Sequence, residues 1–176
     1  MNFQRDIFKN RSGIRYYDID FGGASKDELL LKLERASISL NEYSKQLFAS
    51  DLFVTSAEAG SASIIELTVE DLGFQNGATL VEINDRMKPL NLSECPLEIG
   101  PYFRLHYIDQ IEFQESGKHK APAGSVTVMS RPLIDDDDFP KGFYLRKIDG
   151  KLWLRGYLCP LDHVWEPGAR LAMLYL

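Results

Sequence analysis

The stretch FYLRKIDGKLWLRGY, residues 143–157, sets Asp149-Gly150 between two runs of aromatic and branched residues. A two-residue type I′ turn needs positive φ at both central positions, and an Asp-Gly pair meets that need with little strain. The segment therefore predicts a β-hairpin whose register is set by its turn. Lys147 should face Leu152, Arg146 should face Trp153, Leu145 should face Leu154, and Tyr144 should face Arg155. Successive side chains of a strand point to opposite sides. One side of the hairpin thus receives Phe143, Leu145, Leu152 and Leu154, an apolar set suited to a core, and the other receives Tyr144, Arg146, Trp153, Arg155 and Tyr157.

Working outward, residues 102–108, 125–129 and 170–175 are further short runs rich in aromatic and branched residues, bounded by Gly, Pro or Asp, and read as strands. The first half has a different texture. Residues 15–21 form a short strand that Gly22-Gly23 ends, and Ser25 with Glu28 makes a capping box. Behind it, Leu29, Leu33, Ala36, Leu40, Tyr43 and Leu47 recur at helical spacing, which predicts one long helix over residues 26–49. Residues 55–63, small and without periodicity, read as a loop. Thr68, Asp71 and Gly73 suggest a short helical turn, and Thr79 with Glu82 caps a second helix that Pro89 should end near Lys88. The expected architecture is a single α+β domain over residues 1–176, helix-rich over 1–95 and sheet-rich over 96–176. In it the N-terminal helices pack on a mostly C-terminal antiparallel sheet of about five to six strands.

The segments GPYFRLHY (100–107), APAGS (121–125) and PKGFYLRKIDGKLWLRGY (140–157) resemble parts of small uncharacterised bacterial proteins. The resemblance implies no activity.

Composition narrows the function classes. With 44% apolar and 26% charged residues the chain matches an ordinary globular protein, and no run reaches the roughly 18 apolar residues of a membrane span. Residues 1–10 lack the apolar stretch of a signal peptide, and the two cysteines, Cys95 and Cys159, suggest reduced thiols, so a cytoplasmic location is expected. A net charge of −6 disfavours non-specific binding to phosphate backbones. A helix-turn-helix reading of residues 68–88 would offer a recognition helix on which Glu82 and Asp85 offset Arg86 and Lys88, and gains little from DNA.

Motifs for nucleotide chemistry are missing: there is no GxxxxGK[ST] and no GxGxxG, and GxSxG is missing too. Cys95, Cys159, His106 and His163 are of the right types for zinc, but only Cys159 and His163 are closely spaced, so no metal and no cofactor is expected. Asp135 to Asp138 are consecutive, whereas the ligands of a calcium loop alternate, and they read as a solvated loop or as a contact for a basic partner.

What survives is the second side of the hairpin. Arginines beside tyrosines and tryptophan combine planar hydrogen-bond donors with stacking surfaces, a pairing suited to anions, aromatic ligands or a protein partner. Tyr102, Arg104 and His106 show the same alternation and, on a neighbouring strand, would extend that face. The expected ligand-binding set is Arg104, His106, Tyr144, Arg146, Trp153, Arg155 and Tyr157, in a small protein that binds an anionic or aromatic partner. The opposing reading is a ladder of stacked pairs that satisfies itself. A second functional reading is a slow enzyme that uses His106 or His163 with a nearby carboxylate.

Overall fold

A computed structural model of the chain describes residue 8, residues 11–113 and residues 124–176. In chain order its elements are β1 (Arg15–Phe21), α1 (Lys26–Arg35), β2 (Ser39–Leu40), α2 (Glu42–Ala49), β3 (Gly60–Thr68), β4 (Ala78–Thr79) and α3 (Leu80–Met87). After a 3-10 turn (Lys88–Leu90) come β5 (Leu92–Ser93), α4 (Ile99–His106), β6 (Val126–Val128), β7 (Gly142–Ile148), β8 (Lys151–Tyr157), β9 (Val164–Trp165) and β10 (Arg170–Tyr175). Most strands join one mixed sheet in the order β1-β3-β10-β6-β7-β8-β2, with β5 pairing the end of β10; β4 and β9 form a separate two-stranded ribbon. No helix among the described residues is long and apolar enough to cross a membrane.

This corrects the expected architecture of N-terminal helices on a C-terminal antiparallel sheet. The sheet draws β1 and β3 from the first half, and β10–β6 and β2–β8 pair in parallel. β3 and β10 are interior strands of it, and their Ile64, Ile65, Leu67, Leu171, Ala172 and Met173 are all buried, as in strands covered on both faces. The start of β3, Gly60 to Ser63, lies within the stretch expected to be a loop. Its small side chains carry no β signature, and pairing with β1 alone makes it a strand.

The single long helix is two. Ser37 adopts a left-handed φ of 57° and ends α1, Ser39 and Leu40 pair with Trp153 and Leu154 of β8, and Asn41 caps α2 by accepting from Ser44 N at 3.0 Å. The helical spacing persists through the break because Leu29 and Leu33 of α1 and Leu47 and Phe48 of α2 enter one core. Residues 102–108, expected as a strand, lie mostly in α4. Pro101 sits in the first turn, where a missing N–H costs nothing, and Ile99, Tyr102 and Phe103 bury at helical spacing. Close approach fixes α4 on the sheet: a Cβ on Gly100 would lie 2.7 Å from Cδ2 of Phe143.

The hairpin forms as expected. Asp149 and Gly150 have φ of 50° and 74°, and β7 and β8 pair in the register read from the turn. Both capping boxes are present, at Ser25/Glu28 and Thr79/Glu82. The aspartate run folds about a cation of its own chain: Lys141, 5% exposed, donates from Nζ to the Asp136 carbonyl at 2.8 Å and lies 3.7 Å from Asp137 Oδ1.

The two sheet faces are covered unequally. Helices α1, α2 and α4 enclose one, with Ile19, Ile64, Ala172, Val126, Phe143, Leu145 and Leu154 beneath them. On the other, α3 and the β4–β9 ribbon cover Ile65, Leu67, Leu171 and Met173. Tyr144, Arg146, Trp153 and Arg155 stay half-buried beyond that cover.

Candidate functional site: a recess beside the hairpin

The register of β7 and β8 sets Tyr144 opposite Arg155, and β6 adds Thr127 opposite Tyr144 on the same face. Arg155 Nε donates to Tyr144 Oη at 2.7 Å, and its guanidinium lies 5.9 Å from the centre of the Tyr144 ring and 5.2 Å from that of Trp153. The aromatic line continues edge to face from Tyr144 to Tyr157 at 6.3 Å, from Tyr157 to Trp165 at 6.0 Å and from Trp165 to His163 at 5.2 Å. These rings wall a recess of about 370 Å³, at the lower end of the range for small-molecule pockets.

A second wall comes from the turn into α2. Asn41 Oδ1 accepts from Gly156 N at 2.8 Å while its Nδ2 donates to the Gly156 carbonyl at 3.0 Å. One side chain thereby caps α2 and clamps it to β8. The clamp needs glycine at 156, because a Cβ there would lie 2.6 Å from the Tyr43 carbonyl carbon. Ser125, Thr127 and Cys159 complete the polar lining.

Two features of the recess are electrostatically incomplete. Arg155 has no carboxylate in ion-pair range among the described residues, although a half-buried guanidinium normally finds one. Trp165 Nε1 is buried without a hydrogen-bond partner. The Cys159 thiol, by contrast, is pushed up by burial, so it stands there as a neutral, weakly nucleophilic group. Burial also raises the Tyr157 phenol, which remains neutral at physiological pH.

Of the expected site residues, the structure brings Tyr144, Arg146, Trp153, Arg155 and Tyr157 to one face and separates the other two from them. Arg104 and His106 belong to α4, on the helix-covered side of the sheet. Arg104 is fully buried, donates to Gln110 Oε1 and to the Tyr107 carbonyl, and is pulled down to about 10 by burial. His106 is exposed, its ring edge-on to Tyr17 at 6.1 Å. His163 lies in the recess, so the two candidate histidines do not share a site. Nor do the zinc candidates converge: Cys95 and Cys159 belong to different cores. Among the described residues no group of three or more histidines, cysteines, aspartates or glutamates is placed to hold a metal ion.

Asn41, Tyr43, Thr127 and Trp165 were not anticipated. Asn41 followed by Ser44 is a legible N-cap signal hidden inside the apparent long helix, and Thr127 is the one polar residue of β6. Nothing local marks Trp165, which the pairing of Ala78 with Trp165 carries to the recess. Comparison with family models, with curated proteins and with solved structures finds no match to this chain.

Proposed function

We propose that this protein binds a small aromatic anion in the recess between β8, the α2 turn and the β9 segment. The observation that carries the reading is Arg155, a guanidinium without a carboxylate, in an aromatic recess whose Trp165 Nε1 also lacks a partner. An anionic group would take the guanidinium donors, and a ring would lie against Tyr144, Tyr157 or Trp165. The buried free thiols, Cys95 and Cys159, support residence in a reducing compartment, the cytoplasm.

Phenyl phosphate and adenosine monophosphate are suitable probes, with the fluorescence of Trp153 and Trp165 as readout. At least one should quench it saturably. Arg155→Ala should weaken that binding by roughly tenfold or more, the value of a hydrogen bond to a charged group, while stability moves by only about 1 kcal/mol. Saturable quenching by neither probe, or affinity unchanged in Arg155→Ala, would overturn the proposal. The position of His163 in the recess favours acid–base chemistry as a second reading. Release of phenol from phenyl phosphate by the wild type and its loss in His163→Gln would favour that reading over simple binding.

A further inference from the structure

The recess beside the hairpin is polar and cationic within and apolar at its mouth. Among the described residues that line it none is an aspartate or a glutamate, while Arg155 is a cation half-buried in its wall. The carboxylates of the flanking segments stay outside: Glu42 pairs with Lys45 at 2.6 Å, and Asp162 is exposed on the loop after β8. An anion that enters meets positive charge without a competing negative one.

The mouth is of another kind. Tyr43, in the first turn of α2, and Leu158, just beyond β8, line the recess and are each 37% exposed. Leu161, 66% exposed, stands on the turn that His163 N closes onto the Pro160 carbonyl at 3.0 Å, between Cys159 and His163 of the lining. Single exposed apolar residues are ordinary on a surface, but several grouped at the mouth of one recess mark a contact area. A ligand small enough to sit inside leaves them in water. Covering them takes a chain that continues out of the mouth.

Arg155 narrows the chemistry. Its Nε is committed to Tyr144 Oη at 2.7 Å, and among the described residues its two Nη nitrogens carry no hydrogen bond. They stand side by side at the end of the guanidinium, a spacing that suits the two oxygens of a carboxylate. Aromatic surface lies next to them, in the Tyr144 and Trp153 rings that flank the guanidinium. An aromatic residue at the C-terminus of a polypeptide carries a carboxylate, a ring and an outgoing chain on a single α-carbon.

We infer that the recess is an anchor pocket for another protein and takes the C-terminal aromatic residue of its chain. The α-carboxylate sits on the Arg155 Nη pair, the ring lies against Tyr144, Tyr157 or Trp165, and the preceding apolar residues cover Tyr43, Leu158 and Leu161. The inference rests on the reading of the recess as a site for a small aromatic anion, and names the molecule that carries it. One aromatic anchor inside a rim that excludes water is the arrangement of an interface hot spot. Charge selects the terminus, because only the last residue of a chain presents an α-carboxylate.

The test is isothermal titration calorimetry on the full chain with N-acetylphenylalanine, the peptide acetyl-Leu-Ala-Leu-Phe with a free C-terminus, and the same peptide ending in an amide. The free-acid peptide should bind about tenfold more tightly than N-acetylphenylalanine, the order that burial of one further aliphatic side chain adds, and the amide about tenfold more weakly than the acid. Arg155→Ala should weaken the acid peptide and N-acetylphenylalanine alike. Leu161→Ser should weaken the peptide and leave N-acetylphenylalanine unchanged, whereas Leu31→Ser, at an exposed position of α1, should alter neither. A peptide that binds no better than N-acetylphenylalanine, an amide that binds like the acid, or a Leu161→Ser variant that binds the peptide like the wild type would each overturn the inference. The small-anion reading survives any of these results if phenyl phosphate or adenosine monophosphate still binds through Arg155, and failure of every probe, those two included, would remove both.

Discussion

The two sides of one hairpin were built from the same strands and ended in different roles. Leu145 and Leu154 are fully buried beneath α2 and α4, whereas Tyr144 and Arg155, one residue away on each strand, stay half-buried at the rim of a recess. The difference does not come from polarity alone, because Tyr144, Trp153 and Tyr157 carry more apolar surface than the leucines. It comes from cover. Three helices close over one face, and on the other α3 with its ribbon reaches only the Tyr157 end of the hairpin.

The largest expected effect tests the covered side. Leu145→Ala or Leu154→Ala removes a fully buried side chain beneath rigid helices, and each should cost about 2–5 kcal/mol in denaturant unfolding through lost burial and the cavity left behind. A loss below about 1 kcal/mol would mean that the helices collapse readily onto the sheet, and the contrast between the faces would break.

A smaller effect is expected where the two sides meet. Asn41→Ala removes the cap of α2 and both hydrogen bonds to Gly156, and should cost about 1–2 kcal/mol by the usual value of an N-cap. Since Asn41 and Tyr43 also form a wall of the recess, the variant should loosen probe binding there as well. Probe binding unchanged in a variant that has lost that stability would show that the clamp serves the fold alone.

The smallest expected effect is a pH dependence. Glu28 and Glu82 close the capping boxes of α1, on the covered side, and α3, on the other, and both carboxyls are held below their ordinary value of 4.5 by hydrogen bonds from the cap backbone. A carboxyl whose folded value is depressed contributes stability above its unfolded value and loses it as pH falls through the folded one. Helical circular dichroism should therefore decline modestly as pH is lowered below that ordinary value, and less so in the double variant Glu28→Gln with Glu82→Gln. An unchanged titration in that variant would remove the boxes as its source.

The sequence carried more of the hairpin than of any other part. Asp149-Gly150 set the register, and with it the company of Tyr144, Arg146, Trp153, Arg155 and Tyr157, because turn chemistry is local and side-chain alternation follows from it. The caps at Ser25 and Thr79 were legible for the same reason. Residues 102–108 were not. Alternating Tyr102, Arg104 and His106 imitate a strand, and only Pro101 and the burial of Ile99, Tyr102 and Phe103 on the sheet decide for helix. Gly60 to Ser63 failed in the opposite direction, since small residues become a strand only when β1 pairs with them.

Local chemistry therefore determined where the chain turns, which helices are capped and which residues stand together on β7 and β8. Tertiary structure decided that Arg104 leaves that group for the interior, that Asn41 and Trp165 join it from distant segments, and that Arg15, Glu66 and Arg170 meet across three strands. Propensity and alternation act over a few residues. Cover, charge balance and cavities depend on which distant surfaces come to rest against one another, and no window of sequence contains both partners.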